Sequence, residues 1–293
     1  MNPHDQMRLH EDAELFRAAV NFTAAETAFP ARLVEKDYFS SVLLGYLAES
    51  GGKWVFKGGT CLAKVHAGFY RMSEDMDFSI SMPVNAQRST RSREATGIKK
   101  SIDSLSRNCS CFSVLEPVRG ANKSTQYVGV VGYSSLVSGK PEKIKIELGL
   151  REPLLTGPEK LQASTVLLNP ISGKAMLASI EVLCLSKMES FAEKFRAALT
   201  RREIAIRDFF DLDYAHQNLN LRTQDKMFVD LVKKKLAMPG NEPVDVSPGR
   251  IESLRAQLDT QLKPVLRTTE FREFDLDRAV KLVTEMAERI GTT

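Results

Sequence analysis

Asp75 and Asp77 stand two residues apart in "EDMDFSISM" (74–82), where Met76, Phe78 and Ile80 alternate with Asp75, Asp77 and Ser79. On a strand, both carboxylates leave the same face. Like charges held that close repel, and a divalent cation or a pair of them is the usual reason to keep them together. Glu147 lies on the polar face of a second alternating stretch, "EKIKIELGLRE" (142–152), and is the candidate third carboxylate. Carboxylates around two metals about 3.5–4 Å apart serve in-line phosphoryl or nucleotidyl transfer. Upstream, "KWVFKGGT" (53–60) reads as a short strand closed by Gly58 and Gly59, with Thr60 opening a helix. Glycine lets the backbone approach a ligand closely, and a helix N-terminus offers free N–H groups to phosphate. Lys57 adds a positive charge beside that corner. The spacing therefore predicts a triphosphate cradled at Lys57–Thr60 and metals held by Asp75, Asp77 and Glu147. Taken singly, a D-x-D more often marks a solvated strand and a G-G only a turn. Their order and the third carboxylate carry the reading. The two G-K pairs, in "VSGKPE" and "ISGKAM", lack the glycine spacing and the Ser/Thr of a P-loop.

A second set lies in sequence of helical period. On a helix over 181–202, Leu185, Met188, Phe191, Phe195 and Leu199 make an apolar stripe, with Lys187, Lys194 and Arg201 recurring every seven residues along its edge. In "RDFFDLDY" (207–214), Asp208 and Asp211 share a helical face at i and i+3. Spacing alone favours a surface ion-pair network. The chemical alternative has Lys194 on nucleotide phosphates while an aspartate positions or deprotonates an acceptor hydroxyl.

The elements that must position these groups read as α+β. Residues 11–28 and 30–49 are expected as amphipathic helices, and 84–107 as a basic loop (Arg88, Arg91, Arg93, Lys99, Lys100, Arg107) leading into a helix. Strands are expected near 53–57, 74–82, 125–136 and 142–152. The Pro/Gly-bearing 153–175 reads as a connection, and helices follow from about 177, ending in two terminal ones. This predicts a mixed sheet with flanking helices over 1–155 and a helical domain over 156–293. The 293 residues, 43% hydrophobic and 27% charged, suffice for a sizeable core. A net charge of +4 permits a polyanionic partner without requiring one. Cys61, Cys109, Cys111 and Cys184 form no C-x-x-C and read as small packing residues. His4, His10, His66 and His216 are scattered, which gives a zinc site little support. With no apolar run of about 18 residues and no secretory segment, no membrane span is expected, and a reduced cytoplasmic setting fits.

Four blocks, "VEKDYF" (34–39), "FKGGTCLAKVHAGFYRMSEDMDFSI" (56–80), "IKIELGLRE" (144–152) and "EKFRAALTRREIAIRDFFDL" (193–212), together resemble the AbiEii/AbiGii toxin family of nucleotidyltransferases, which includes the MenT-like toxins. The resemblance touches most of residues 30–215. It implies a DNA polymerase beta-like nucleotidyltransferase core followed by a helical C-terminal domain, with Mg²⁺ and a nucleoside triphosphate. It also implies a toxin role in a toxin–antitoxin or phage-defence pair, with a separately encoded antitoxin. Some relatives add nucleotides to the 3′ end of tRNA. By matching position, Asp75 and Asp77 are the metal ligands, and Lys57, Lys194 and Asp211 are further active-site residues with Asp208 close by. Ser73 matches a serine that is phosphorylated in some relatives. The gap from Gly59 to Asp75 exceeds that of the plainest nucleotidyltransferases, and relatives differ in whether the Glu147 position is used. Three readings stay open: transfer to tRNA, transfer to a protein or small-molecule hydroxyl, and an inert fold serving as a binding module. The presence of both aspartates ranks the last one lowest.

Overall fold

The structure, a computed structural model, describes residues 8–291, so His4 lies outside them. The chain forms two compact units. One runs up to Leu154 and includes Pro158–Leu185; the other comprises Leu155–Gly157 and the chain from Ser186 onward.

The first unit is built on a seven-stranded mixed sheet. Its strands are β1 (Val55–Lys57), β2 (Met76–Ser79), β3 (Phe112–Ala121), β4 (Gln126–Ser134), β5 (Pro141–Gly149), β6 (Glu159–Ala163) and β7 (Ile180–Cys184), in the order β3-β4-β5-β2-β1-β7-β6. β2 runs parallel to β5 and β1 parallel to β7, while the remaining pairs are antiparallel. The expected alternation holds: Met76, Phe78, Ile144, Ile146 and Leu148 are buried.

Helix α1 (Ala13–Thr27) is capped by Asp12, whose carboxylate accepts the Leu15 N–H at 3.0 Å. Helix α2 (Ala31–Glu49) departs from the expected amphipathic pattern, because it is buried nearly all round. Its charged residues go inside with dedicated partners. The Glu35 carboxylate accepts the Leu136 and Val137 N–H groups and the Ser135 hydroxyl. Asp37 takes Lys64 at 2.6 Å, together with the Thr165 hydroxyl and the Val166 N–H. Burial pulls the Lys64 pKa below its ordinary value, with Asp37 working against that shift. Phe39 stacks on Tyr133 at 4.1 Å.

After β1 the chain turns into a short helix, α3 (Gly58–Cys61), which continues as a single π turn over Leu62–His66. The basic 84–107 segment holds two helices, α4 (Arg88–Glu94) and α5 (Thr96–Asn108), rather than a loop and one helix. β3 was not expected. It carries Pro117 and two register shifts, which break the strand pattern and suit an edge position. The segment read as a connection contains β6, and the sequence from 177 first forms β7, so the sheet continues past residue 155. Parallel pairing explains β7: Phe56 lies opposite Cys184, and the Leu185 N–H donates to the Phe56 carbonyl at 2.9 Å.

The second unit is helical: α6 (Lys187–Thr200), α7 (Ile206–Asn218), α8 (Lys226–Leu236), α9 (Pro248–Arg255), α10 (Thr268–Glu273) and α11 (Leu276–Ile290). Helix α6 starts at 187 because the Ser186 hydroxyl accepts the Glu189 N–H at 3.1 Å. Leu185 therefore precedes the helix, and Met188 is 42% exposed, so neither belongs to its apolar stripe. Phe191, Phe195 and Leu199 do, and Phe195 meets Phe228 of α8 edge-on at 5.7 Å. Lys235 is fully buried between Glu189 at 2.7 Å and Glu193 at 3.1 Å. Arg278 of α11 grips Asp213 of α7 through two bonds of 2.7 Å. The terminal region is divided more finely than the two helices expected, with a π turn at Leu258–Leu262 and a 3-10 turn at Lys263–Val265. No helix among the described residues is long and apolar enough to cross a membrane.

Candidate active site

The register of three adjacent strands assembles the centre of the site. Lys57 of β1 pairs with Asp77 of β2, and Asp77 pairs with Glu147 of β5. Directly paired residues on neighbouring strands project side by side from one face. The sheet thus lays a cation and two carboxylates in a row, over residues separated by twenty and seventy positions in sequence. Asp75 sits one residue before β2, two before Asp77, and is exposed, whereas Asp77 and Glu147 are half-buried.

The glycine corner is fitted against this row. Gly58 has φ +75°, a conformation that L side chains rarely adopt, and a Cβ there would collide with the Asp77 carboxylate. A Cβ on Gly59 would lie 2.7 Å from the Arg71 guanidinium and 2.9 Å from the Ser73 hydroxyl. Thr60 is buried, and its hydroxyl donates to the Asp75 carbonyl, tying the start of α3 to the metal-candidate loop. Lys57, Gly58, Gly59, Thr60, Ser73, Asp75, Asp77 and Glu147 are therefore brought together in the first unit.

The segment before Asp75 is held firmly. Arg71, 2% exposed, donates to the Met72 carbonyl at 3.0 Å and lies 5.6 Å from the Tyr70 ring centre. Glu74 accepts from Lys36 at 2.8 Å and Arg32 at 3.0 Å. Burial alone would push the Glu74 carboxyl up; Lys36 and Arg32 outweigh it and hold the group below the usual carboxylate range. Two neighbours of the row escaped the sequence reading. Arg71 lies inside the quoted block, but nothing in its spacing shows that it meets Gly59. Lys145, two residues before Glu147 on β5, ion-pairs with it at 3.1 Å. Burial would lower the Lys145 pKa, yet Glu147, with Asp75 and Asp77 adding to the field, raises it. Alternation put Lys145 on that face; its role as the local counter-charge was not recognised.

The donors offered by Asp75, Asp77 and Glu147 are all oxygens, which suits a hard cation such as Mg²⁺. The Asp77 carboxylate occupies the space that a side chain at residue 58 would need.

In the helical unit, Lys194 of α6 donates to Asp208 at 2.7 Å and Asp211 at 2.8 Å, and Arg201 reaches Asp208 at 3.0 Å. The i, i+3 spacing on α7 does place both aspartates on one face, as expected. The network is not the surface one that spacing favoured, since Asp208 is 3% and Asp211 0% exposed. Of the basic segment, Arg88, Arg93, Lys100 and Arg107 are exposed, but Arg91 is buried and donates to the Leu150 and Val84 carbonyls.

The family described as "Nucleotidyl transferase AbiEii toxin, Type IV TA system" matches residues 42–288. That span begins after "VEKDYF" and extends well beyond residue 215, where the resemblance read from sequence stopped. No curated protein matches the chain. Among solved structures, JHP933 from Helicobacter pylori is similar at 15% identity and TM-score 0.49, covering 89% of this chain and 93% of that one. A protein described as a nucleotidyltransferase from H. pylori is similar at 16% identity and TM-score 0.44, covering 93% and 94%.

Proposed function

The chain belongs to the nucleotidyl transferase AbiEii toxin family of type IV toxin–antitoxin systems, and from that premise we propose that it transfers a nucleoside monophosphate from an NTP to the 3′-terminal hydroxyl of tRNA, with Mg²⁺. The observation that carries the reading is the Lys57–Asp77–Glu147 row beside the Gly58–Gly59 corner. Asp75, Asp77 and Glu147 would hold Mg²⁺. When bound, Mg²⁺ supplies Lewis acidity for the attacking and leaving oxygens of an in-line displacement. Lys57, the N–H groups at Gly58–Thr60 and the Ser73 hydroxyl bind the triphosphate. Lys145 moves its charge from Glu147 to phosphate as the nucleotide arrives. In the helical unit, Lys194 contacts nucleotide phosphates, Asp211 positions the acceptor hydroxyl, and Asp208 orients Lys194. Exposed Arg88, Arg93, Lys100 and Arg107 supply a polyanion surface for the RNA backbone. The protein acts in the cytoplasm as the toxin of a phage-defence pair, opposed by a separately encoded antitoxin.

The test is transfer from each of four α-labelled NTPs to total tRNA with Mg²⁺, beside Asp77→Asn. Label on tRNA that requires Asp77 supports the proposal and identifies the nucleotide. Label on protein or on a small product retains the chemistry and changes the acceptor. No transfer to any acceptor, with Mg²⁺ or Mn²⁺, overturns the enzyme reading in favour of a binding module.

A further inference from the structure

Three soft donors meet on the first unit without a part in the transfer chemistry. Cys61 ends α3, His66 ends the π turn and Cys184 ends β7, and one ligand atom from each lies within 4.8 Å of the other two. The π turn accounts for the meeting. In an α-helix of 3.6 residues per turn, positions five apart point about 140° away from each other. Here the bonding widens to i→i+5, as in the Ala67 N–H to Leu62 carbonyl bond of 2.8 Å. The wider turn returns His66 to the side that carries Cys61. β7 delivers Cys184 from the opposite direction, through its parallel pairing with β1.

We propose that Cys61, His66 and Cys184 form a thiolate–imidazole binding site for Zn²⁺. Two sulfurs and an imidazole nitrogen are a soft-to-borderline set that selects Zn²⁺ over the hard Mg²⁺. Ligands at about 2.0–2.3 Å from one Zn²⁺ sit roughly 3.5–4 Å from each other, so the set closes on the ion with shifts of about an ångström. His66 has one ring nitrogen engaged. Its Nε2 donates to the Leu185 carbonyl at 2.9 Å, and because a carbonyl only accepts, the other ring nitrogen keeps its lone pair. Cys61 and Cys184 are fully buried, while His66 is half-buried and gives the entry path. A bound ion would pin the end of α3 to β7. The inference does not depend on the proposed transfer activity.

The experiment is a Co²⁺ titration of the reduced full-length protein, followed by displacement with Zn²⁺. The oxygen donors of Asp75, Asp77 and Glu147 give no thiolate-to-cobalt charge-transfer absorption, so that band reports thiolate ligation and not metal at those carboxylates. One equivalent of Co²⁺ per chain is expected to produce the band, and Zn²⁺ to abolish it. Cys184→Ser removes the band; His66→Gln, at a half-buried position that folding tolerates better, weakens Co²⁺ binding at least tenfold. Cys109→Ser with Cys111→Ser leaves the band intact. The proposal is overturned if the reduced chain shows no band, if the band survives both Cys184→Ser and His66→Gln, or if it disappears with the Cys109 and Cys111 substitutions. Circular dichroism confirms that each variant is folded.

Discussion

Lys194 is the residue whose structural and chemical duties are hardest to separate. Removing it leaves the Asp211 carboxylate, 0% exposed, without its Lys194 partner, whereas Asp208 retains Arg201. Breaking a buried pair from one side costs roughly 3–5 kcal/mol. Lys194→Ala is expected to lose about that much in urea unfolding, and adding Asp211→Asn to recover part of it. If the double variant is stable yet inactive in transfer, Lys194 and Asp211 act in the chemistry as well as the fold. Glu74 makes a pH prediction. Its folded pKa is depressed by Lys36 and Arg32, so its contribution is fully present above the unfolded carboxylate value of about 4.3 and is lost as pH falls through the folded value. The stability difference between wild type and Glu74→Gln should be flat near neutrality, shrink as pH falls from about 4.3 through the folded value, and level off below it. A difference growing toward low pH would contradict the assigned pairing. At this scale the sequence was informative about Asp75, Asp77 and Glu147, because alternation fixes the face of a strand residue. It was silent on the meeting of Cys61, His66 and Cys184, which depends on a π turn and on a strand more than a hundred residues away.

Between residues and the fold stand the corner at Gly58 and the helix α2. Gly58→Ala places a Cβ against the Asp77 carboxylate on a backbone with positive φ. It is expected to lower kcat/KM for NTP by at least about tenfold, equivalent to about 1.4 kcal/mol, while far-ultraviolet circular dichroism stays close to wild type. An unchanged kcat/KM would separate the corner from the site. β2 and β5 were legible because each alternates cleanly between apolar and polar residues. β7 was not. Its five residues run into Ser186 and the helical period of α6, so a window spanning both reads as helix. β3 was hidden by Pro117, Glu116 and Arg119, residues that an edge strand accommodates and a central strand does not. Helix α2 misled in the opposite sense. Expected as amphipathic, it instead buries Glu35, Lys36 and Asp37, and their burial depends on partners at 64, 74, 135–137 and 165–166 that no local pattern announces.

Across the whole molecule, the chain commits residues 155–157 to the helical unit before returning to lay down β6 and β7. The excursion is held by Glu189, which accepts the Leu155 and Thr156 N–H groups and the Thr156 hydroxyl at 2.7 Å. Hydrogen bonds to a charged group contribute about 1.5–3 kcal/mol each. Thr156→Val, which keeps the shape and removes the hydroxyl, should lower the unfolding free energy by about that amount; a loss under a few tenths would mean that the N–H bonds suffice. The sheet does not close on itself, and its order leaves β3 and β6 as its two borders. β6 is five residues long and exposes Glu159 and Lys160, whereas β3 is ten residues long and much of it is exposed. A border of that length is a template for adding strands from other molecules. Pro117 offers no N–H, and the two slips in register around Glu116 keep β3 from presenting a straight row of donors and acceptors. The irregularity that hid this strand from pattern reading thus guards against aggregation. Pro117→Val should leave the melting temperature almost unchanged and raise the turbidity of concentrated solutions on gentle warming.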